Sequence, residues 1–234
     1  MAERQLTLDT STPCASIALS QGDQLLGETF INTAEHHTVH LLGAVAELLQ
    51  RTGWAIGDLD LFAAVVGPGS FTGLRVGLAT VKGLALARQR PVVGVSSLAT
   101  LAMQLPFCRF PVWSLIDARK NEVYAAPFDC RQGFPEALGK ETVLAPERLL
   151  ATLSGAAVFI GSGALAYHAL LEKGIKGRAF FPPEPTHLPR ASNAALLAWR
   201  GYIEGHGVSP ERLCPVYIRP SEAEIAWAAK MASR

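Results

Sequence analysis

The stretch VVGPGSFTGLRVGLATVKGLALA, residues 65–87, has the pattern of a strand that turns through glycines into a helix. Gly67, Gly69 and Gly73 give the spacing G-x-G-x3-G, which is not a Walker loop because no Gly-Lys-Ser/Thr completes it. A strand-to-helix turn with free backbone amides can nevertheless hold an anion. The pattern leaves two interpretations open: an anion site, or a turn whose glycines let another backbone approach closely.

The helix in this stretch has three distinct faces when its residues are placed at intervals of about 100°. The face that can cover a sheet has Leu74, Leu78, Val81 and Ala85. A charged strip has Arg75 and Lys82. The third face has only small side chains, those of Gly73, Gly77, Thr80, Gly83 and Ala87. Each interior glycine costs about 1 kcal/mol relative to alanine. Close packing of another backbone on this small-residue ridge is the natural compensation, either within the chain or across an interface.

Outward from this segment, the same series of elements occurs twice. Three short strands and a helix over residues 38–53 precede it, with Leu41, Leu42, Val45, Leu48 and Leu49 on one helix face, and a strand and a helix near residues 98–105 follow it. The pattern then begins again, because WSLIDARKNEVYAAPFD aligns with QLTLDTSTPCASIALS. Further helices are expected near residues 146–153, 164–174 and 191–204. Two βββαβα runs predict an α/β architecture with a lobe at 1–106, a lobe at 107–220 and a tail at 221–234.

Composition excludes several classes of protein. The chain has 234 residues, of which 49% are hydrophobic and 18% are charged, so it can bury a substantial core and is not disordered as a whole. The formal charge of +1 does not call for a polyanionic partner. No signal peptide or membrane helix is evident, and four scattered cysteines fit reduced thiols. We expect a cytoplasmic protein.

Asp9 and Asp117 are expected at the ends of the first strands of the two lobes. Actin-like ATPases and sugar kinases hold a magnesium–phosphate group at these places. The turns that follow, DTSTPCAS and DARKNEVY, contain no glycine that would let phosphate approach. An aspartate can also bond the amides of its own turn. We therefore predict a turn-anchoring role first, and retain Asp9, Thr10, Ser11 and Asp117 as a possible degenerate nucleotide site.

Two further patterns carry weaker chemistry. His36 and His40 are four residues apart, as on one face of a zinc-binding helix, but no third ligand is evident, so no metal is predicted. FIGSGALA, residues 159–166, is a second glycine turn between a strand and a helix. It can cup an adenosine in a kinase-like fold or simply shape the turn, and we favour the turn.

The residues in order resemble the TsaB (YeaZ) family of bacterial proteins, which takes part in making the threonylcarbamoyladenosine modification of tRNA. LDTSTPCASIAL, HTVHLL, GPGSFTGLRVGLATVKGLA, VVGVSSLATLA, IDARKNEVYAA and PVYIRP carry the resemblance over residues 6–220. It implies a two-lobed fold of the actin, Hsp70 and sugar-kinase type. It also implies a non-catalytic subunit that works beside a larger paralogue, TsaD, with the ATPase TsaE. ATP and magnesium are then used by the complex, and no cofactor is expected to bind tightly to this chain.

The resemblance also implies an association surface, formed by the first two helices and used for a homodimer or for the TsaD heterodimer. On this chain the helices match residues 38–52 and 72–88. The predicted partner contacts are His37, Leu41, Val45, Thr72, Gly73, Arg75, Gly77, Thr80, Lys82 and Gly83. The small-residue ridge then faces the partner, and Gly77→Leu is expected to weaken TsaD binding without unfolding the chain. Direct tRNA contact stays open, with Arg75, Lys82, Arg88 and Arg119 as candidates for phosphate.

Two other functions are weighed against this one. A phosphotransferase of the sugar-kinase type would use Asp9 and Asp117 around magnesium, and a metal-dependent glycoprotease would need a bound metal. The missing phosphate-binding glycines argue against the first, and the incomplete metal ligand set argues against the second.

Overall fold

The structure is a computed structural model that describes residues 3–32, 41–219 and Met231. Its first sheet has the strand order β3-β2-β1-β4-β5. The first three strands are antiparallel neighbours, and β4 and β5 run parallel to β1. The strands are β1 (Arg4–Asp9), β2 (Cys14–Gln21), β3 (Gln24–Asn32), β4 (Leu61–Gly67) and β5 (Val92–Ser96).

The second sheet repeats this topology. Its order is β11-β10-β6-β7-β8, and β9 also pairs with β7. Strands β9, β7, β6, β10 and β11 therefore occupy the places of β3, β2, β1, β4 and β5, which confirms the duplicated βββαβα architecture. The strands are β6 (Val112–Arg119), β7 (Glu122–Asp129), β8 (Glu136–Ala137), β9 (Thr142–Leu144), β10 (Ala157–Ile160) and β11 (Ala179–Phe180).

The helices follow the predicted order. They are α1 (Leu41–Thr52), α2 (Phe71–Arg88), α3 (Ser97–Ala102), α4 (Pro146–Thr152), α5 (Ser162–Ala166), α6 (His168–Gly174) and α7 (Ala191–Ile203). Two differences stand out. The single helix expected at 164–174 is split into α5 and α6, because Tyr167 has φ −114° and ψ 22°. The helix expected to reach residue 105 ends at Ala102. The predicted helix start at 38–40 lies outside the described residues.

The two faces of the first sheet have different covers. Leu6 and Leu8 point towards α1 and α2, and join the largest apolar cluster with Phe62, Leu74 and Val81. Successive strand residues point to opposite sides, so Gln5 and Thr7 face α7, where Gln5 Nε2 donates to the carbonyl of Ala195 over 3.1 Å. The predicted core face of α2 is confirmed, because Leu74, Leu78, Val81 and Ala85 are all buried.

The two halves exchange one helix each. Helix α7 belongs to the second run in sequence, yet Ala194 and Ala198 pack on Val65 and Val93 of the first sheet. Helix α3 belongs to the first run, yet its leucines pack in the apolar cluster of β6, β7 and β10. The bounds 1–106 and 107–220 follow chain order and stay a prediction, and each sheet is covered by one helix from the other run. Chain order does not show which sheet an amphipathic helix covers.

A buried carboxylate fixes the start of α7. Glu28, on β3, accepts hydrogen bonds from the Ser16 hydroxyl at 2.9 Å, the Ser192 amide at 3.1 Å and the Ser192 hydroxyl at 3.1 Å. Arg190 donates to it from Nη2 at 3.0 Å. Because a buried charge is tolerated only when it is paired and hydrogen-bonded, this network holds α7 on the first sheet. Within residues 3–32 and 41–219, no helix has both the length and the apolar character needed to cross a bilayer.

Candidate functional site

The glycine turn of residues 67–73 packs against the turn between β1 and β2. A Cβ on Gly69 would lie 2.2 Å from the carbonyl oxygen of Ser11, and one on Gly73 would lie 2.1 Å from that of Thr10. Two hydrogen bonds join the turns: the Ser70 amide donates to the Ser11 carbonyl at 2.7 Å, and the Thr10 hydroxyl donates to the Gly73 carbonyl at 2.7 Å. The glycines therefore admit this chain's own backbone, and no phosphate is needed to explain them.

The same contact corrects the interpretation of the small-residue ridge. A Cβ on Gly77 would lie 2.2 Å from the Thr10 hydroxyl oxygen, whereas one on Gly83 would meet nothing within 4 Å. Gly73 and Gly77 are thus sealed beneath the β1–β2 turn and cannot be partner contacts. The expectation that Gly77→Leu leaves the chain folded is therefore wrong, because the new side chain would displace Thr10.

Asp9 anchors the β1–β2 turn from inside. Its Oδ1 accepts hydrogen bonds from the Ser11 amide at 2.9 Å and the Ser11 hydroxyl at 2.7 Å. Thr10 and Ser11 are only 3% and 0% exposed. The turn-anchoring role predicted for Asp9 is confirmed, and the turn offers no open surface to a phosphate. Asp9 Oδ2 is buried and has no hydrogen-bond partner within the part of the chain that the structure describes.

Burial raises the pKa of Asp9 above its ordinary value, and the hydrogen bonds from Ser11 offset only part of this effect. Burial likewise raises the pKa of the Cys14 thiol, and the charge of Asp9 adds to that shift. The folded state therefore binds a proton at Asp9 more tightly than the unfolded state does. Stability falls as the pH rises from the unfolded pKa towards the folded pKa, and the cost persists at higher pH.

Asp9→Asn is expected to remove this cost, because the amide carries no charge. The free energy of unfolding of the variant, relative to the original chain, should rise between pH 4 and pH 8 by about 1.4 kcal/mol for each unit of pKa elevation. Urea denaturation of both chains at several pH values measures the difference. Parallel pH profiles of the two chains would show that folding does not raise the pKa of Asp9.

Asp117 anchors the equivalent turn of the second sheet. Its Oδ1 accepts from the Arg119 amide at 2.9 Å, and its Oδ2 lies 3.6 Å from Arg119 Nη1. The Ser162 hydroxyl accepts from the Asp117 amide at 3.1 Å. Three of the predicted nucleotide-site residues, Asp9, Thr10 and Ser11, thus lie together in one closed turn. The fourth, Asp117, lies in the equivalent turn of the second sheet.

The second glycine turn is also filled by the chain itself. Gly161 has φ 102°, and a Cβ there would lie 2.3 Å from the carbonyl oxygen of Leu115. Its amide donates to Nδ1 of the buried His187 at 3.0 Å, and His187 Nε2 lies 3.0 Å from the Pro182 carbonyl. His187 Nδ1 also lies 3.3 Å from the Gly161 carbonyl, and the tautomer protonated on Nε2 is the neutral form that satisfies the two shorter contacts. The turn-shaping interpretation of FIGSGALA is the one that this geometry supports.

The charged strip of α2 holds the C-terminal segment of residues 208–219. Lys82 Nζ donates to the Leu213 carbonyl at 2.9 Å, and Arg75 Nε donates to the Tyr217 hydroxyl at 3.1 Å. The Arg75 guanidinium lies 3.7 Å from the ring centre of Phe71. Arg75 and Lys82 were predicted as partner contacts and as candidates for phosphate, and in this structure both side chains donate to this segment.

Part of the side of α1 and α2 that faces away from the first sheet has small and apolar residues with no cover from the described part of the chain. On α2 these residues are Thr72, Ala79, Thr80, Gly83, Leu86 and Ala87. On α1 they are Leu42, Gly43 and Ala46, and Leu42 is 59% exposed. We call these nine residues the outer helix face. Charged residues of the same helices flank it, among them Glu47 and Arg51, which form an exposed ion pair on α1.

Besides Gly73, Gly77, Arg75 and Lys82, two predicted partner residues of α1 are not on the outer helix face. Leu41 and Val45 are each only 3% exposed and belong to the core of the first sheet. Both were predicted as partner contacts from the family resemblance, which indicates a whole helix and does not separate the side of α1 that packs on the sheet from its outer side. His37 lies outside the described residues. Thr72, Thr80 and Gly83 are the predicted partner residues that the structure leaves on this face.

Comparison with known proteins identifies the family. A family model described as TsaD, tRNA N6-adenosine threonylcarbamoyltransferase, matches residues 25–227. The tRNA threonylcarbamoyladenosine biosynthesis protein TsaB of Escherichia coli (strain K12) is 33% identical over 230 residues, which is 96% of each chain. The chain belongs to the TsaB (YeaZ) family. The TsaB protein of Haemophilus influenzae (strain ATCC 51907 / DSM 11121 / KW20 / Rd) is also 33% identical, over 95% of this chain and 94% of its own.

A solved relative has the same fold. YeaZ from Pseudomonas aeruginosa is 34% identical, with a TM-score of 0.81 over 92% of this chain and 99% of its own. The chain thus has the two-lobed, actin-like α/β fold that its sequence predicts. Because the relatives match nearly the full length, both lobes and the C-terminal segment belong to the family's common architecture.

The outer helix face was only partly found from the sequence of this TsaB-family chain. Leu42, Gly43, Ala46, Ala79 and Leu86 were missed, although a helical wheel of α2 already places Ala79 and Leu86 outside its core face. Among the described residues, no group of three or more histidine, cysteine or acidic side chains could hold a metal ion. His36 and His40 lie outside that part of the chain, so the absence of a metal site stays a prediction.

Proposed function

We propose that this chain takes part in forming N6-threonylcarbamoyladenosine in tRNA, as a non-catalytic subunit that binds a TsaD-family enzyme through the outer helix face. The observation that carries the proposal is the chemistry of that face. Gly83 has open space around its backbone, and Ala79 and Thr72 expose only small side chains. A helix with small residues lets a partner helix approach closely, and Leu42 and Leu86 supply apolar area to bury.

The sequence similarity of this chain to the TsaD family supports binding through the outer helix face. The TsaD family model matches residues 25–227, which include both helices of the outer face. A TsaD-family enzyme built on the same fold therefore has an equivalent pair of helices. Two equivalent surfaces can meet about a pseudo-twofold axis, as in a symmetric dimer. The same geometry allows a homodimer when the partner is absent, and the homodimer is part of the proposal.

The non-catalytic role is supported by the closed β1–β2 turn. A sugar kinase needs phosphate to reach this turn, but Ser11 is 0% exposed and its amide and hydroxyl already bond Asp9. The described residues thus give no support to the phosphotransferase alternative. The glycoprotease alternative likewise has no supporting ligand set among them. TsaE, tRNA and the ATP and magnesium used by the complex complete the proposed cytoplasmic assembly.

Reconstitution tests the proposal. Unmodified tRNA is incubated with the threonylcarbamoyl-adenylate donor, a TsaD-family enzyme, TsaE and ATP, with or without this chain, and modified adenosine is measured by mass spectrometry. We expect modification only in the complete mixture, and none from this chain without TsaD. Equal modification in its absence would refute the proposed role, and turnover by the isolated chain would refute its non-catalytic character.

A further inference from the structure

We infer that Cys108 and Cys130 form a redox-sensitive thiol pair, which a peroxide converts into a disulfide that fastens the segment between α3 and β6 to the second sheet. Cys108 lies in the linker between α3 and β6, and Cys130 directly follows β7. Neither residue belongs to the outer helix face or to the closed turn. The inference does not depend on the proposed function.

Two turns hold the cysteines beside each other. The Phe107 amide donates to the Cys130 carbonyl at 2.8 Å, so the residue adjacent to Cys108 is bonded to the backbone of Cys130. The Phe107 ring packs on Gly133, where a Cβ would lie 3.1 Å from it. Phe107 has φ 61°, a left-handed conformation that bulky residues rarely adopt. These contacts hold the segment between α3 and β6 against the turn of residues 130–133.

Both thiols lie in one apolar cluster. Cys130 is buried in it, with Sγ 3.6 Å from the Ala102 carbonyl, and Cys108 packs against the same cluster from its edge. A disulfide requires Cα atoms about 4.4–6.8 Å apart. The hydrogen bond from Phe107 to the Cys130 carbonyl keeps the two backbones adjacent. The inference requires the Cys108 side chain to turn towards Cys130 within the shared apolar cluster.

The two thiols have different roles because their surroundings differ. Burial raises the pKa of Cys130 to about 12, and the nearby Cys108 adds to the shift. Cys130 therefore stays a protonated, unreactive thiol while both are reduced. Cys108 is partly exposed and meets the oxidant first. Once Cys108 is oxidised to the sulfenic acid, its sulfur is electrophilic, so Cys130 acquires a reaction partner only after that first step.

The chemistry balances with one peroxide for each disulfide. The Cys108 thiolate attacks a peroxide oxygen, the O–O bond breaks, and the leaving hydroxide takes a proton to become water. The Cys130 sulfur then attacks the Cys108 sulfur, the S–O bond breaks, and the proton of Cys130 leaves with the oxygen as a second water. Two thiols lose two electrons in total, and hydrogen peroxide gains them.

Mass spectrometry and thermal unfolding test the inference on the full chain. The exposed Cys214 is first replaced by serine, to prevent cross-linking between molecules. Treatment with hydrogen peroxide should lower the mass by about 2 Da, and a non-reducing digest should contain a peptide pair joined through Cys108 and Cys130. Closing a loop of roughly 20 residues should raise Tm by roughly 5–10 °C, and dithiothreitol should reverse it.

Cys108→Ala is the matched control, because its side chain lies at the edge of the cluster and the fold should tolerate the change. In this variant the mass loss and the rise in Tm should both disappear. Cys130→Ala is a less certain control for folding, so the inference depends on Cys108. Oxidation that stops at the sulfenic or sulfinic acid of Cys108, or that joins Cys108 to Cys14, would overturn it.

Discussion

Gly73→Ala is expected to destabilise the chain by about 3 kcal/mol, in the range measured for overpacked cores. The added Cβ would lie 2.1 Å from the Thr10 carbonyl oxygen. That oxygen belongs to the backbone of a buried turn, so no side-chain rotation can relieve the clash. The same substitution at Gly83 should stabilise the chain by about 1 kcal/mol, because alanine is the better helix former and open space surrounds Gly83.

The pair is a controlled comparison, since both glycines lie on α2 and undergo the same change. Urea denaturation should give shifts of opposite sign in the midpoint with little change in the slope m. Gly43→Ala on α1 is a second control, because nothing lies within 4 Å of its Cβ position. If Gly73→Ala and Gly83→Ala have the same effect on the free energy of unfolding, the β1–β2 turn does not seal the glycine segment.

Gly83→Leu is expected to weaken binding to the TsaD-family enzyme by about 100-fold, which corresponds to about 2.7 kcal/mol. The leucine would project from the centre of the outer helix face and would hold the partner helix away. The folded chain should tolerate it, because the space around Gly83 is open. Isothermal titration calorimetry with the purified enzyme measures the loss, and the homodimer should weaken in parallel.

Gly155→Leu is the matched control for this experiment. Gly155 is also exposed with nothing within 4 Å, and it lies between α4 and β10 in the other half of the chain. It should bind the enzyme with unchanged affinity. Leu42→Ala tests the other helix, because it removes an apolar anchor and should weaken binding about 10-fold. Unchanged binding by Gly83→Leu would exclude the outer helix face as the docking surface.

Much of the fold could be predicted from periodicity along the chain. The alternating strands, the glycine stop after α1 and the core face of α2 each depend on residues close in sequence. The repeat of Asp9 and Asp117 at equivalent strand ends predicted the duplication, and the strand orders of the two sheets confirm it. The turn-anchoring role of Asp9 was predictable because its partner, Ser11, is two residues away.

The candidate site was less predictable, because its limits depend on contacts between distant residues. The sequence shows which residues of α2 are small, but it does not show which of them this chain buries and which stay open to a partner. Thr10 is 63 residues from Gly73 in the chain, yet it packs against both Gly73 and Gly77. Lys82 and the Leu213 carbonyl, 131 residues apart, decide that the charged strip binds the C-terminal segment. Leu41 and Val45 were assigned to the interface because the resemblance indicates a whole helix, and only the packing shows which side of α1 faces the sheet.

The sequence by itself determined the order of elements, the duplicated architecture and the residues of α2 that enter the core. These follow from local backbone preferences and from the spacing of apolar side chains. Only the tertiary structure decided which glycines meet this chain and which remain open to a partner, and that α3 and α7 each cover the sheet of the other half. Close approach of two backbones is a property of three-dimensional packing, and a glycine has the same letter whether it faces its own chain or solvent.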